Sequence, residues 1–337
     1  MVLLVGSTCF DPIHMPNRPI YRAIGTQFQH RPWGGTTLYD LIMPAFLFMV
    51  GVAMSFSVQR RMDQGADRAK LWKHFLRRAL VLIVVSEIVI SVETDHLHLQ
   101  FHNILTQVAF TSIACFFLMQ LKFRNQLIAA ALLLVTHSAL YLIFPGPNGP
   151  FQPVTNFGSV LDRALMGHNY TMAPAVNIST MTEIVNVLAG LWAGNLLRSG
   201  RTWAQKFGWL TLEAVLGFVL GLAFSPIVPI NKWLWTATYT LFTIGWAVVG
   251  LIAFVWLDQV LRVRRPMFFF VVVGMNSLLV YCIGEVLTWW LFHSVATLTP
   301  WLSFAGELQP AIQACLTFGV IWLLAWWFYR RGIFLRA

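Results

Sequence analysis

The chain has 337 residues, of which 58% are hydrophobic and only 11% are charged, whereas a soluble domain carries about a quarter charged residues. Its mean hydropathy is +0.67, which excludes a water-soluble fold and makes membrane lipid the solvent for most of its surface. The net charge of +10 lies in short segments between apolar runs. That pattern is typical of membrane orientation, so we predict no nucleic-acid partner.

The apolar runs predict an all-α bundle of about ten membrane-spanning helices, which forms a single domain over residues 1–337. The opening MVLLVG is too short to cross a bilayer, which needs roughly 20 apolar residues. We interpret residues 1–8 as the outer end of a truncated first helix. Nine further spans are predicted near 40–58, 79–94, 103–121, 127–144, 182–198, 208–224, 234–257, 267–292 and 309–329.

Two long polar segments, 8–38 and 145–181, separate these spans. With spans that alternate in direction, 18 of the 23 Lys and Arg residues fall on the side that also holds the C-terminus. Cytoplasmic loops carry an excess of Lys and Arg. We therefore predict a cytoplasmic C-terminus and place both long polar segments on the extracytoplasmic side.

The stretch QHRPWGGTTLYDLIMPAFLFMVG, residues 29–51, is the most informative part of the chain. His30 lies just outside a span, and histidine is the side-chain type best suited to proton transfer near neutral pH, which makes His30 the best candidate base or nucleophile. Trp33 is either an interface anchor or a site residue. Asp40 either caps the helix that starts here or orients the imidazole of His30.

Several polar side chains lie within spans or at their ends. Asn231 and Lys232 precede an extracytoplasmic helix start, where Lys232 is either a substrate contact or an interface anchor. Asn276 and Glu285 lie inside the predicted span 267–292. Charged and amide groups inside a membrane usually face a cavity or a partner, so these residues are candidate acceptor or oxyanion contacts.

Two basic clusters lie on the predicted cytoplasmic side. One is Arg77 and Arg78; the other is Arg262, Arg264 and Arg265. Guanidinium groups pair well with phosphates, so either cluster could hold an anionic cofactor. The alternative for each arginine is plain membrane anchoring.

Acidic and histidine side chains cluster at Glu93, Asp95, His96, His98 and His102, and these residue types can bind metal ions. His96 and His98 share a face only in an extended segment, and His102 is not in register with both on a helix. We therefore predict no metal site.

Three blocks resemble the heparan-alpha-glucosaminide N-acetyltransferase family. HRPWGGTTLYDLIMPAFLFMVG is similar to its H-x-x-W-x-G…D-L-x-x-P-x-F-x-F-x-x-G block, and PINKWLWTATY to its P-x-N-K-x-L-W block. GMNSLLVYCIGEVL is similar to its G-M-N-[SA]-x-x-x-Y block, including the later Glu. One block departs, because NILTQ stands at residues 103–107 where the family has G-V-L-Q-R.

The resemblance implies a multi-pass acetyltransferase, here expected in a bacterial inner membrane, and it suggests a homodimer. Such an enzyme moves an acetyl group from cytosolic acetyl-CoA to an amino sugar or glycan across the membrane. The family's active-site histidine maps onto His30, which would act either as general base or as acetyl carrier. The alternatives are a transporter or flippase for a sugar-containing substrate, and a non-catalytic family member.

Overall fold

The computed structural model describes residues 19–94, 103–166 and 176–335. Regular structure in these residues is helical, apart from two isolated bridges, which confirms the predicted all-α class. The α-helices are α1 (Pro19–Gln27), α2 (Ile42–Met54), α3 (Arg60–Asp63), α4 (Arg68–Thr94), α5 (Ile104–Leu118), α6 (Phe123–Ile143), α7 (Phe157–Met166), α8 (Val176–Arg198), α9 (Trp203–Ala223), α10 (Ala237–Gln259), α11 (Arg264–Met275), α12 (Ser277–Leu298) and α13 (Gln309–Arg330).

Within the described residues, six helical segments are long and apolar enough to cross a membrane. The predicted spans near 79–94, 103–121 and 182–198 coincide with α4, α5 and α8, which are not among these six. The predicted first helix at 1–8 lies outside the described residues, so about ten spans stays a prediction. The six are Tyr39–Asp63, Phe123–Ile143, Trp203–Ala223, Ala237–Gln259, Ser277–Leu298 and Pro300–Arg330.

The predicted single span 267–292 is wrong, because two helices occupy this stretch. Helix α11 ends at Met275 and α12 begins at Ser277, and Asn276 between them has a φ of −126° and a ψ of 37°, which are not helical. The side chain of Asn276 donates to the carbonyl of Ile333 at 3.1 Å and accepts from the N–H of Leu335 at 3.2 Å. The break therefore holds the segment that follows α13, a long-range contact that local hydropathy does not reveal.

The predicted loop 145–181 is also more ordered than its composition indicates. It contains α7, and α8 already begins at Val176. Helix α7 packs against α6 and α8. The Pro, Gly and Asn residues of this segment fall mainly before α7, which is why composition indicates a loop there and misses the short amphipathic helix.

Glycines bring α2 and α8 into close contact. A Cβ at Gly51 would overlap the carbonyl of Val187, and one at Gly190 would overlap the carbonyl of Phe48. The G-x-x-x-G spacing of Gly190 and Gly194 predicts this type of packing, and the structure confirms it. This contact matters for the site because α2 and α8 both extend from the end of the bundle near Asp40 towards the end near Arg198.

The segment Tyr39–Asp63 carries an aspartate near each of these ends. It comprises a 3₁₀ turn (Tyr39–Leu41), α2, a π turn (Ser55–Gln59) and α3. At one end lies Asp40, against the start of α10. At the other end, Arg198 of α8 donates to Asp63 at 2.8 Å and to the carbonyl of Ser55 at 2.7 Å. We call these the His30 end and the Arg198 end.

Candidate active site

Two segments about 200 residues apart in sequence meet at the His30 end. The N–H of Gly35 donates to the carbonyl of Ile230 at 2.7 Å, and Gly35 forms a parallel bridge with Asn231. Gly35 has a φ of +74°, a conformation that glycine adopts without strain. This junction brings the block that contains His30 against the block that contains Lys232.

Asp40 is fully buried and its carboxylate is enclosed by donors. Its Oδ1 accepts from Nδ1 of His30 at 2.8 Å. Its Oδ2 accepts from the N–H of Thr37 at 3.0 Å, from the Thr37 hydroxyl at 3.1 Å and from the N–H of Arg31 at 3.3 Å. These partners stabilise the ionised form in a place that excludes water.

The cap interpretation of Asp40 does not match this geometry. A capping side chain accepts from N–H groups two or three residues after it. The N–H groups that Asp40 accepts from, those of Arg31 and Thr37, precede it in the sequence. The cap position of its 3₁₀ turn is Leu38, without a side-chain hydrogen bond. The carboxylate instead points back into the loop that carries His30, as the orienting interpretation requires.

Lys232 completes a three-residue cluster. Its Nζ lies 2.7 Å from Nδ1 and 3.1 Å from Nε2 of His30, and 3.3 Å from Oδ1 of Asp40. Only 9% of its side chain is exposed. Burial lowers the pKa of the Lys232 amine below its ordinary value of 10.5, while the Asp40 carboxylate opposes that change. The cluster therefore pairs a buried cation with a buried anion on one side of the imidazole.

The imidazole of His30 is the accessible member of the cluster, with 41% of its side chain exposed. Its ring lies 4.4 Å from the ring of Tyr39 and 5.7 Å from that of Trp233. When Nδ1–H donates to Asp40, the lone pair resides on Nε2. In that tautomer the amine of Lys232 can donate to Nε2 but not to Nδ1. The arrangement thus leaves one basic nitrogen, Nε2, on a partly exposed imidazole that Asp40 holds through Nδ1.

Asn231 shapes the turn that presents Lys232. Its side-chain oxygen accepts from the N–H of Leu234 at 3.2 Å, and its carbonyl accepts from the N–H of Thr236 at 3.2 Å. The Thr236 hydroxyl accepts from the N–H of Asn231 at 3.1 Å. Asn231 is therefore engaged within its own turn and acts on the cluster by positioning Lys232.

Three partners of the cluster were not predicted from the sequence. The Thr37 hydroxyl binds Asp40. The indole N–H of Trp233 donates to the carbonyl of Arg31 at 2.8 Å, and the phenol of Tyr239 donates to the carbonyl of Asp40 at 2.6 Å. The available signal was their presence in the same two sequence blocks as His30 and Lys232.

Trp33 joins the His30 loop to the segment before α7. Its indole N–H donates to the carbonyl of Phe151 at 3.2 Å. It also packs against the small apolar cluster that contains Tyr141, Ile178 and Leu234. Trp33 therefore supports the His30 loop from the side.

Two other predicted acceptor contacts are Asn276, at the break between α11 and α12, and Glu285, on α12. Asn276 directs its side-chain hydrogen bonds to the segment after α13, as described above. Glu285 lies nine residues further along α12. Between them, the hydroxyl of Tyr281 accepts from the side-chain amide of Asn103 at 2.7 Å, which joins the NILTQ and GMNSLLVY blocks. The structure thus does not bond Asn276 to the His30 cluster.

The two basic clusters lie on α4 and around the start of α11. Arg77 and Arg78 lie on α4, in the third turn. Arg264 begins α11, is 77% exposed and lies 3.4 Å from Asp258, while Arg265 follows it. Arg262, in the preceding turn, has a φ of +53°. Their role as phosphate contacts stays a prediction.

No group of three or more His, Cys, Asp or Glu side chains suited to a metal occurs among the described residues. Of the five residues that the sequence offers as metal ligands, only Glu93 lies among the described residues. Glu93 belongs to α4, whereas Asp95, His96, His98 and His102 lie outside the described residues.

Fold and site together define a class, namely a multi-pass membrane protein with an accessible histidine braced by a buried Asp–Lys pair. Residues 23–161 match the family model described as heparan-alpha-glucosaminide N-acetyltransferase, catalytic. Heparan-alpha-glucosaminide N-acetyltransferase of Mus musculus is 30% identical over 64 residues, which are 19% of this chain and 10% of the mouse protein. The match thus spans about a tenth of the length of that relative. Over residues 23–161 the chain is thus similar to the heparan-alpha-glucosaminide N-acetyltransferase family, as the sequence motifs indicate.

Proposed function

We propose that this protein is a transmembrane acetyltransferase. It takes the acetyl group of acetyl-CoA on the cytoplasmic side and delivers it to an amine or hydroxyl of a sugar or glycan on the extracytoplasmic side. The observation that carries the proposal is the His30 imidazole, which is solvent-accessible, bonded through Nδ1 to the buried Asp40 and adjacent to the Lys232 amine. The family-model match over residues 23–161 supports the reaction class.

In the proposed reaction, Asp40 holds Nδ1–H and leaves the lone pair of His30 on Nε2. This nitrogen either attacks the thioester carbonyl or removes the proton of the acceptor group. Lys232 lies next to the reacting nitrogen and would stabilise the negative charge that develops on the carbonyl oxygen. The arginines at 77 and 78, or at 262, 264 and 265, are the proposed partners of the coenzyme phosphates.

A reconstituted assay tests this proposal. The protein is incorporated into vesicles, radiolabelled acetyl-CoA is supplied on one face, and glucosamine or a glucosamine-containing glycan on the other. We expect acetylated sugar from the unaltered protein and loss of transfer in a folded His30→Ala variant. His293→Ala is the matched control, since His293 is an exposed histidine on α12 whose Nδ1 faces the carbonyl of Trp289 at 3.0 Å.

Omission of the acceptor separates the two roles of His30. An acetyl carrier accumulates label on the protein at His30, whereas a general base does not. Full transfer by His30→Ala would exclude both roles. Sugar movement without acetyl-CoA consumption would favour a transporter, and folded protein that does not bind acetyl-CoA would favour a non-catalytic member.

A further inference from the structure

A second buried carboxyl group lies on α8, near the turn that carries Lys232. Glu183 belongs to α8 and is fully buried. Its Oε1 accepts from the hydroxyl of Ser179 at 2.8 Å. Its Oε2 is buried without a hydrogen-bond partner among the described residues. A buried polar atom left in this state costs free energy, and native proteins retain few of them.

Contacts between α8 and the Lys232 turn fix the position of Glu183. The neighbouring Thr182 donates from its hydroxyl to the carbonyl of Trp235 at 2.7 Å. One turn further along α8, the side-chain oxygen of Asn186 accepts from the indole N–H of Trp235 at 3.2 Å. The N–H of Trp235 in turn donates to the carbonyl of Lys232 at 3.0 Å. Glu183 therefore lies on the stretch of α8 that supports the Lys232 turn.

Tyr239 holds the start of α10 against Asp40. Its phenol donates to the backbone carbonyl of Asp40 at 2.6 Å. From Glu183, helix α8 continues towards Arg198 at the opposite end. Glu183 thus lies on the part of α8 that contacts the Lys232 turn, and the rest of the helix leads to the proposed cytoplasmic entry.

The two carboxyl groups differ in what surrounds them. Asp40 has an ion pair with Lys232 and several N–H and O–H donors. Glu183 has one hydroxyl donor, and no ion pair of Glu183 occurs within the described residues. Burial without a cation favours a neutral carboxyl group, which carries a proton that it can donate. That proton belongs on Oε2, the oxygen that accepts no hydrogen bond.

We propose that Glu183 is the general acid that protonates the sulfur of the departing coenzyme. This inference rests on the proposed function. In the two-sided reaction, the acceptor reaches His30 from the extracytoplasmic side and the thioester arrives from within the bundle. The leaving sulfur is then on the inner side of the carbonyl carbon, the side on which Glu183 lies.

The step balances in atoms and charge. A bond forms between the carbonyl carbon and either Nε2 of His30 or the acceptor atom, and the carbon–sulfur bond breaks. The sulfur receives the Oε2 proton of Glu183 and leaves as a thiol, which makes Glu183 a carboxylate. The proton that the acceptor nitrogen or oxygen loses restores the carboxyl group, so each turnover returns Glu183 to its starting state.

Donors with different leaving groups test this role. An alkyl thioester such as acetyl-CoA releases a basic thiolate that benefits from protonation, whereas S-4-nitrophenyl thioacetate releases a weakly basic thiolate that leaves unassisted. We expect Glu183→Gln to slow transfer from acetyl-CoA by about 100-fold, the lower range for general acid catalysis. Transfer from the aryl thioester should change by less than about threefold.

Glu213→Gln is the matched control. Glu213 is a second intramembrane glutamate with a buried unpartnered oxygen, but it lies on α9. We expect it to leave both rates unchanged. An equal loss with both donors in Glu183→Gln, or no loss with either, would overturn the acid role. Absence of transfer from acetyl-CoA by the unaltered protein would instead overturn the proposed function itself.

A second measurement needs no variant and covers the case in which Glu183→Gln does not fold. The unaltered protein is assayed with a series of aryl and alkyl thioacetates of graded thiolate basicity. Protonation of the sulfur predicts rates that depend weakly on this basicity. A steep decline with increasing basicity indicates unassisted departure and contradicts the proposal.

Discussion

The segment Tyr39–Asp63 allows two ion pairs to be compared within one stretch of chain. At the His30 end, Asp40 is 0% exposed and Lys232 is 9% exposed; at the Arg198 end, Asp63 is 51% exposed and Arg198 is 21% exposed. Burial of a charge costs several kcal/mol that the pairing only partly returns, whereas an exposed pair costs and gains little. The buried pair is therefore poorly explained by stability and well explained by the histidine that it holds.

The largest effect is expected from Asp40→Asn. An amide of the same shape cannot accept from all the donors around Asp40, and it no longer fixes the tautomer of His30. We expect a loss in acetyl transfer of about 10³- to 10⁴-fold, the scale seen when the orienting carboxylate of a catalytic triad is neutralised. The measurement is the transfer rate of folded protein, with Asp63→Asn as control. A loss below about tenfold would contradict the orienting role.

The next largest loss of acetyl transfer is expected from Lys232→Met, which removes the charge of the side chain and keeps its apolar stem. Loss of a preorganised donor to the developing oxyanion costs about 10²- to 10³-fold in turnover. We expect a loss near 100-fold in single-turnover rate with acetyl-CoA binding retained. Weaker coenzyme binding with an unchanged single-turnover rate would assign Lys232 to binding instead.

The pH dependence of the unaltered protein reports on the same amine. Burial lowers the pKa of Lys232 below 10.5, so its positive charge is lost at a lower pH than in an exposed lysine. We expect transfer to decline on the alkaline side below pH 10.5, and Lys232→Arg to shift that decline upward, because guanidinium stays charged. The unfolded chain binds more protons between the two pKa values, so this group makes stability rise with pH in that window.

How far the sequence predicts the site is clear from individual residues. His30, Asp40 and Lys232 were predicted as candidates, because each is a titratable group at the edge of an apolar run. Their mutual distances depend on the contact between Gly35 and Ile230, which joins segments about 200 residues apart. Residue type alone does not reveal that contact, and it left both Asp40 and Lys232 with two interpretations.

Asn276 shows a feature of the fold that hydropathy does not predict. Hydropathy sums over a window, so one amide inside the apolar run 267–292 does not divide it into two predicted helices. Whether Asn276 breaks the helix depends on the partners of its side chain. These are the backbone groups of Ile333 and Leu335, in the segment that follows α13. Such a break is a tertiary property and has no local pattern.

A smaller effect is expected from Trp33→Phe, which removes one hydrogen bond at the margin of the buried cluster. The indole donates to the carbonyl of Phe151, and loss of a single neutral hydrogen bond costs about 1 kcal/mol. We expect a slight fall in Tm and a transfer rate within about threefold of the unaltered protein. A much larger loss of activity with unchanged Tm would mean that Trp33 contacts substrate.

The smallest effect is expected from Asp63→Asn, which completes the comparison between the two pairs. An exposed ion pair contributes about 0–1 kcal/mol and is screened by salt. Arg198 also keeps its bond to the carbonyl of Ser55 in this variant. We therefore expect an unchanged transfer rate and a difference in Tm that disappears at about 1 M salt. If Asp63→Asn impaired transfer as strongly as Asp40→Asn, burial would not be what separates the two aspartates, and the Arg198 end would also have to take part in the reaction.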